Sequence, residues 1–284
     1  MSKLVQRLLV FFIGVPLVLS MVFLNQYNHL ILHAAMIIVT LIAALEMYSM
    51  LSVSNSMQPK YFLIPLAVLL PVSGLLCAFF SLPFEYITYV LVLCLLCVLL
   101  YEVFFPHVKN SEPFSLSNSR ISSGFLLLIY SGFLITFVAR MTVWENSTAF
   151  LCVFLAMVFG CDSFAWLFGM LFGKGNRGFF LVSPNKSIAG FLGGIAGTIG
   201  IGISAHYIFP VAFSGSILKI ILLGFITSLS AILGDLAESV LKRSANYKDS
   251  GHVIPGRGGI LDSIDSILFL APVYFISVKF LYGV

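Results

Sequence analysis

Asp235, Glu238, Ser239 and Lys242 fall at i, i+3, i+4 and i+7, so a helix through them carries all four on one face. A loop with Arg243, Lys248 and Asp249 follows, then Pro255-Gly256-Arg257-Gly258-Gly259. Asp262 and Asp265 come next, three apart on the first turns of a second helix. Glycines before a helix start allow close backbone approach and free N–H groups, which suits phosphate. Magnesium is typically held by one or two carboxylates together with substrate phosphates. Basic residues neutralise the charge developing on transferring and leaving phosphate oxygens. The expected chemistry is metal-dependent phosphoryl or nucleotidyl transfer. A plain Glu238–Lys242 salt bridge within the helix would account for two of these residues and leave Asp235 without a partner.

Further candidates lie upstream. Asp162 sits about three turns inside an apolar run, where an isolated carboxylate costs at least ~2.5 kcal/mol. It is expected to face the bundle interior and to meet a cation, a donor or a metal. The following Gly-Lys-Gly-Asn-Arg-Gly lacks the spacing of a Walker A loop. Ser187 can cap the next helix, and Lys186 at its entrance favours an anion. Glu46 lies late in an apolar run, and either function or an interhelical hydrogen bond would explain it. Glu85 and Glu102 are expected to be solvated near span ends, and His29 and His33 to be interfacial. The segment from Pro106 to Arg120 reads as a polar connector, and His252 as part of a solvated loop.

The elements that must position these residues are membrane helices. The chain is 60% hydrophobic and 9% charged, with a mean hydropathy of +1.08. A soluble core does not have that composition, and in hydrocarbon such runs must be helical to satisfy their backbone. An uncleaved first span is expected at the N-terminus, followed by spans at 29–51, 61–80, 84–105, 122–140, 148–172, 188–209, 216–240 and 259–282. The fold class is therefore all-α, a polytopic bundle of about nine transmembrane helices. It forms a single membrane domain over 1–284, with N-terminal helices in 1–145 and the catalytic helices and loops in 146–284. With the N-terminus in the cytoplasm, twelve Lys and Arg fall on the cytoplasmic side and three (Arg140, Lys219, Lys279) on the other. That bias places the charged stretch on the cytoplasmic face. The five cysteines lie in apolar runs and are expected to form no disulfides. A non-enzymatic ion transporter would place its carboxylates near the midplane across several helices, whereas these cluster at one face beside glycines. No nucleic-acid partner is expected.

Ser239, Lys242, Arg243, Lys248, Asp249, Gly251, Pro255, Gly256, Gly258, Gly259, Asp262 and Asp265 resemble the signature of the phosphatidate cytidylyltransferase (CDP-diacylglycerol synthase) family. Asp162, Ser183-Pro184, Lys186, Gly190, Asp235 and Glu238 fit the same pattern. Arg257 stands where the family usually has His, and Ser263 where it has Arg; Asn185, Ser187 and Ala189 also depart. The resemblance implies an enzyme of the inner (cytoplasmic) cell membrane that joins CTP to phosphatidate, giving CDP-diacylglycerol and diphosphate. It implies a homodimer among membrane lipids, with Mg2+ as cofactor. Asp235, Asp262, Asp265, Lys242 and Asp249 would be catalytic, with Asp235 and Asp262 as metal ligands. Lys186, Ser239, Arg243, Lys248, Gly256, Arg257, Gly258 and Gly259 would bind substrate. CTP-dependent kinases of isoprenoid alcohols are the nearest alternative and should lack this C-terminal signature.

Overall fold

Apolar segments of about 20 residues form long helices because each must satisfy its own backbone away from water. The computed structural model describes residues 10–106, 114–254, 256 and 258–284. A π-helical turn, Val10–Gly14, leads into α1, Val15–Phe23. Then come α2 (Gln26–Ser54), α3 (Lys60–Phe79), α4 (Glu85–Phe104), α5 (Ser117–Met141), α6 (Ser147–Phe172), α7 (Ile188–Ile208), α8 (Ile217–Ser244) and α9 (Leu261–Tyr282). Among the described residues, the eight helices from α2 to α9 are long and apolar enough to cross a membrane. The start of the first expected span lies outside the described residues. The protein is an all-α, multi-pass membrane bundle.

Two groups of helices share the core. In the first, α2 packs on α3, which also meets α4 and α5; in the second, α6 packs on α7, α7 on α8 and α8 on α9. The α6–α7 crossing is close because α7 turns glycines toward its neighbour. A side chain at Gly193 or Gly197 would run into Phe168 or Phe164. Within the second group Tyr274 of α9, fully buried, ties the last helix back to the first: its hydroxyl donates to the Phe150 carbonyl of α6 at 3.0 Å. Successive helices reverse direction, so α2, α4, α6 and α8 end on the same side as α5, α7 and α9 begin. Asp162, Asp235, Asp249, Asp262 and Asp265 gather in one cleft toward that end.

Three expectations change with the fold. His29 and His33 are buried, not interfacial. His29 Nε2 pairs with Ser147 Oγ at 2.9 Å and His33 Nε2 with Thr142 Oγ1 at 3.1 Å, fastening α2 to the α5–α6 connection. Glu102 is buried rather than solvated, and it meets Arg120 at 2.7 Å. The Pro106–Arg120 connector is thus more than polar filler at its far end; residues 107–113 lie outside the described residues.

Candidate active site

Four helix ends build one cleft of about 450 Å³. It is lined by Asp162, Ser183, Lys186, Asp235, Lys242, Asp249, Asp262 and Asp265. All five aspartates of the chain are in that set.

The α6–α7 connection delivers Lys186. A turn closes where Lys186 N donates to the Ser183 carbonyl at 3.1 Å, and an antiparallel bridge joins Arg177 to Ser187. Ser187 then caps α7 by accepting from Gly190 N at 3.1 Å. This geometry sends Lys186 Nζ to Asp235 Oδ2, 2.5 Å away. Asp235 is therefore paired from the α6–α7 connection, and Ser239 Oγ lies 3.5 Å from its other oxygen.

One turn further along α8, Lys242 bridges two helices. Its Nζ meets Glu238 within α8 and Asp262 Oδ1 of α9 at 2.6 Å. The intrahelical pair is thus present, as part of a three-residue bridge. Glu238 is fully buried, so its charge depends on Lys242. Asp262 Oδ2 accepts from Gly259 N at 2.7 Å and Ser250 N at 2.8 Å. Asp265 is buried one turn further in; its Oδ1 accepts from Ser266 N at 2.6 Å.

The glycine-rich loop folds back on itself. Ile254 and Gly258 exchange backbone hydrogen bonds of 2.8 and 3.0 Å. Gly258 has φ +115°, and a side chain there would collide with Asp262 Oδ2. Pro255 and Arg257, including the substrate-binding role expected for Arg257, lie outside the described residues. The four N–H groups from Gly259 to Asp262, expected to be available to phosphate, have protein acceptors instead. They donate to Asp262 Oδ2, Glu46 Oε1, Glu46 Oε2 and Ser250 Oγ. Glu46 and Ser250 are thus parts of this end of the bundle. Spacing alone favoured no role for Glu46, and Ser250 carried no signal.

The remaining candidates are placed less centrally. Asp249 lines the cleft from the exposed loop. Arg243 and Lys248 are exposed and do not line it; Arg243 Nη1 donates to the Tyr247 carbonyl at 3.2 Å. Gly256 lies in the turn between the bridged residues.

A second hollow of about 450 Å³ opens beside the cleft between α6 and α7, and it shares Asp162, Lys186 and Asp235 with it. Its wall is largely apolar, with Trp166, Met170 and Phe191, and Arg177 and Asn185 stand at its polar end. A charged chamber and a greasy trough therefore meet at one Lys–Asp pair. Such a shape can hold a molecule with an anionic head and an apolar body.

The Cytidylyltransferase family matches residues 5–281 of the chain. Phosphatidate cytidylyltransferase of Staphylococcus haemolyticus is 42% identical over 124 residues, 44% of this chain and 45% of that protein. The enzyme of the same name from Staphylococcus aureus is 40% identical over the same length and shares. That of Helicobacter pylori is 36% identical over 149 residues, 52% of this chain and 53% of the other. The chain spans about half the length of the curated relatives it matches.

Proposed function

The chain belongs to the cytidylyltransferase family, and from that premise we propose that it converts CTP and phosphatidate to CDP-diacylglycerol and diphosphate. The observation that carries this reading is the charged cleft opening into an apolar trough across Lys186–Asp235. The triphosphate belongs in the cleft and the acyl chains in the trough, where they can enter sideways from the bilayer.

A phosphate oxygen of phosphatidate attacks the α-phosphorus of CTP, and the bond from that phosphorus to the bridging oxygen breaks. The electron pair leaves with diphosphate. A phosphate oxygen is already nucleophilic at neutral pH, so catalysis rests on alignment and charge neutralisation. Lys186 and Lys242 contribute positive charge on either side of the cleft, and Ser239 helps to hold Asp235. Among the described residues no group of three or more His, Cys, Asp or Glu is close enough to hold a metal ion alone. Two cleft carboxylates completed by phosphate oxygens suit magnesium; Asp235 and Asp262 would hold it, with Asp265 and Asp249 beside them. When bound, Mg2+ would neutralise phosphate charge.

The positive-inside bias supports an orientation with the N-terminus and cleft facing the cytoplasm, in the inner cell membrane. The resemblance also supports a homodimer. Cross-linking in native membranes should then trap a species of doubled mass, and a monomer alone would remove that expectation.

The direct test supplies purified protein with CTP, phosphatidate and magnesium. Cytidine should enter the lipid fraction in step with diphosphate release. No CDP-diacylglycerol from folded protein would overturn the assignment, and transfer of the γ-phosphate to an isoprenoid alcohol would replace it with a lipid kinase.

A further inference from the structure

Glu46 belongs to α2, in the first group of helices, yet its carboxylate oxygens bond to the far end of the chain. Oε1 accepts from Ile260 N at 3.0 Å; Oε2 accepts from Leu261 N at 2.8 Å and from Ser250 Oγ at 3.3 Å. A helix start leaves backbone N–H groups without partners, and the residue preceding α9, Ile260, has no capping side chain of its own. Glu46 supplies the cap from 214 residues away. The carboxylate is buried and does not line the cleft, so it touches neither the charged chamber nor the trough.

Its reach nevertheless extends to Asp262 through Ser250. Ser250 Oγ donates to Glu46, accepts from Asp262 N at 3.3 Å, and Ser250 N donates to Asp262 Oδ2 at 2.8 Å. The other N–H on that oxygen comes from Gly259, next to Ile260, which Glu46 holds. Both donors that orient Oδ2 are thus adjacent to atoms fixed by Glu46. A second observation concerns sterics. Side chains at Gly251 or Gly259 would collide with the Glu46 carboxylate, and at Gly259 with Ser250 Oγ as well. Two glycines of the signature loop are accounted for by Glu46 lying between them, with no appeal to phosphate.

We propose that Glu46 is a positioning residue for the transfer reaction, holding Ser250 and the first turn of α9 so that Asp262 faces the cleft in one orientation. The proposal rests on the reading of the cleft as the site of cytidylyl transfer. A carboxylate is required because three donors converge on it; an amide would turn an N–H toward one of them.

Glu46→Gln tests this with little change of shape. Turnover should fall by about 10- to 100-fold, as expected when the group that orients a site carboxylate is lost, with KM for CTP within about threefold. Amides 259–262 should exchange hydrogen faster, while those of α7 keep their protection. Combined with Ser250→Ala, the loss should be smaller than the product of the two single losses, because both act through one linkage. Wild-type turnover per folded molecule, or unchanged exchange at 259–262, would overturn the proposal. Should Glu46→Gln fail to fold, Gly251→Ala displaces the same carboxylate by one methyl group and is held to the same two readouts. Wild-type protein inactive on CTP and phosphatidate would sink the reaction assignment instead, and the exchange measurement would still decide whether Glu46 holds the turn.

Discussion

Glu102 and Glu238 are both buried carboxylates near the ends of long apolar helices, and each meets a basic residue. Around Glu102 the accounting closes. Oε1 accepts from Gln58 Nε2 at 2.9 Å and Arg120 Nε at 3.0 Å; Oε2 accepts from Ser117 Oγ at 2.8 Å and Arg120 Nη2 at 2.7 Å. One negative charge faces one positive charge, both side chains are almost wholly buried, and no charge is left over. Around Glu238 the accounting stays open. Lys242 is shared with Asp262, Lys186 is taken by Asp235, and five aspartates and two lysines line the neighbouring cleft. A closed cluster of this kind fastens helices, and an open one with surplus negative charge recruits cations. That surplus favours the cleft over the Glu102 knot as the place where a metal and a polyphosphate meet.

Removing divalent cations should separate the two clusters most sharply. A chelator is expected to stop diphosphate release completely and magnesium to restore it, with unfolding in detergent unchanged because the Glu102 knot needs no metal. Turnover that persists in excess chelator would remove magnesium from the cleft. Next in size is Asp262→Asn. Its two oxygens serve Lys242 on one side and two backbone N–H groups on the other, so an amide must oppose a donor somewhere. Turnover should drop at least about 100-fold, in the range for removal of a preorganised electrostatic group, while the protein stays folded and inserted. Near-normal rates would exclude Asp262 from the reacting centre.

Much of this was legible in the sequence, and what was not has a common cause. Span positions follow from hydropathy because each helix is decided locally by the solvent it must cross; all eight helices from α2 to α9 lie within a few residues of the expected ranges. The helical face from Asp235 to Lys242 was equally local. Glu46 and Glu102 were not. Both are single carboxylates near span ends, and only the partner tells them apart: Arg120 beyond a connector for one, the start of α9 for the other. Spacing gives no register between helices that lie far apart in the chain. The same blindness hid Lys186 as the partner of Asp235, although the signature placed both near the site, and it hid the burial of His29 and His33 against the α5–α6 connection. Backbone donors mislead in another way. The glycines announced free N–H groups at the start of α9, and distant Glu46 holds two of the four, with Asp262 and Ser250 holding the others.

Arg257 offers a smaller and more selective effect. It stands where the family signature has a histidine, in a chain that has Ser263 in place of the signature arginine. A guanidinium binds phosphate through paired donors and cannot serve as a base near neutral pH. If it compensates for the arginine missing at 263, Arg257→Ala should cost about tenfold in turnover, and Ser263→Arg in that background should recover part of the loss. Full activity in Arg257→Ala would end the compensation argument and leave the contrast between the two clusters to rest on the aspartates and lysines alone.

The smallest expected effect on chemistry comes from the closed cluster. Arg120→Met strands Glu102 in a buried site, and breaking one side of such a pair costs about 3–5 kcal/mol. Unfolding should therefore come earlier while turnover per folded molecule stays at the wild-type level. Replacing both partners, Glu102→Gln with Arg120→Met, should recover most of the lost stability, because Gln58 and Ser117 can still bond to the new amide and no charge remains to be matched. An equivalent exchange in the open cluster, Glu238→Gln with Lys242→Met, removes the lysine that also binds Asp262. It should therefore lose turnover even where stability returns. If the Glu102 pair proved as sensitive in turnover as the Glu238 pair, the two clusters would be one coupled unit. The difference in charge balance would then say nothing about where the reaction takes place.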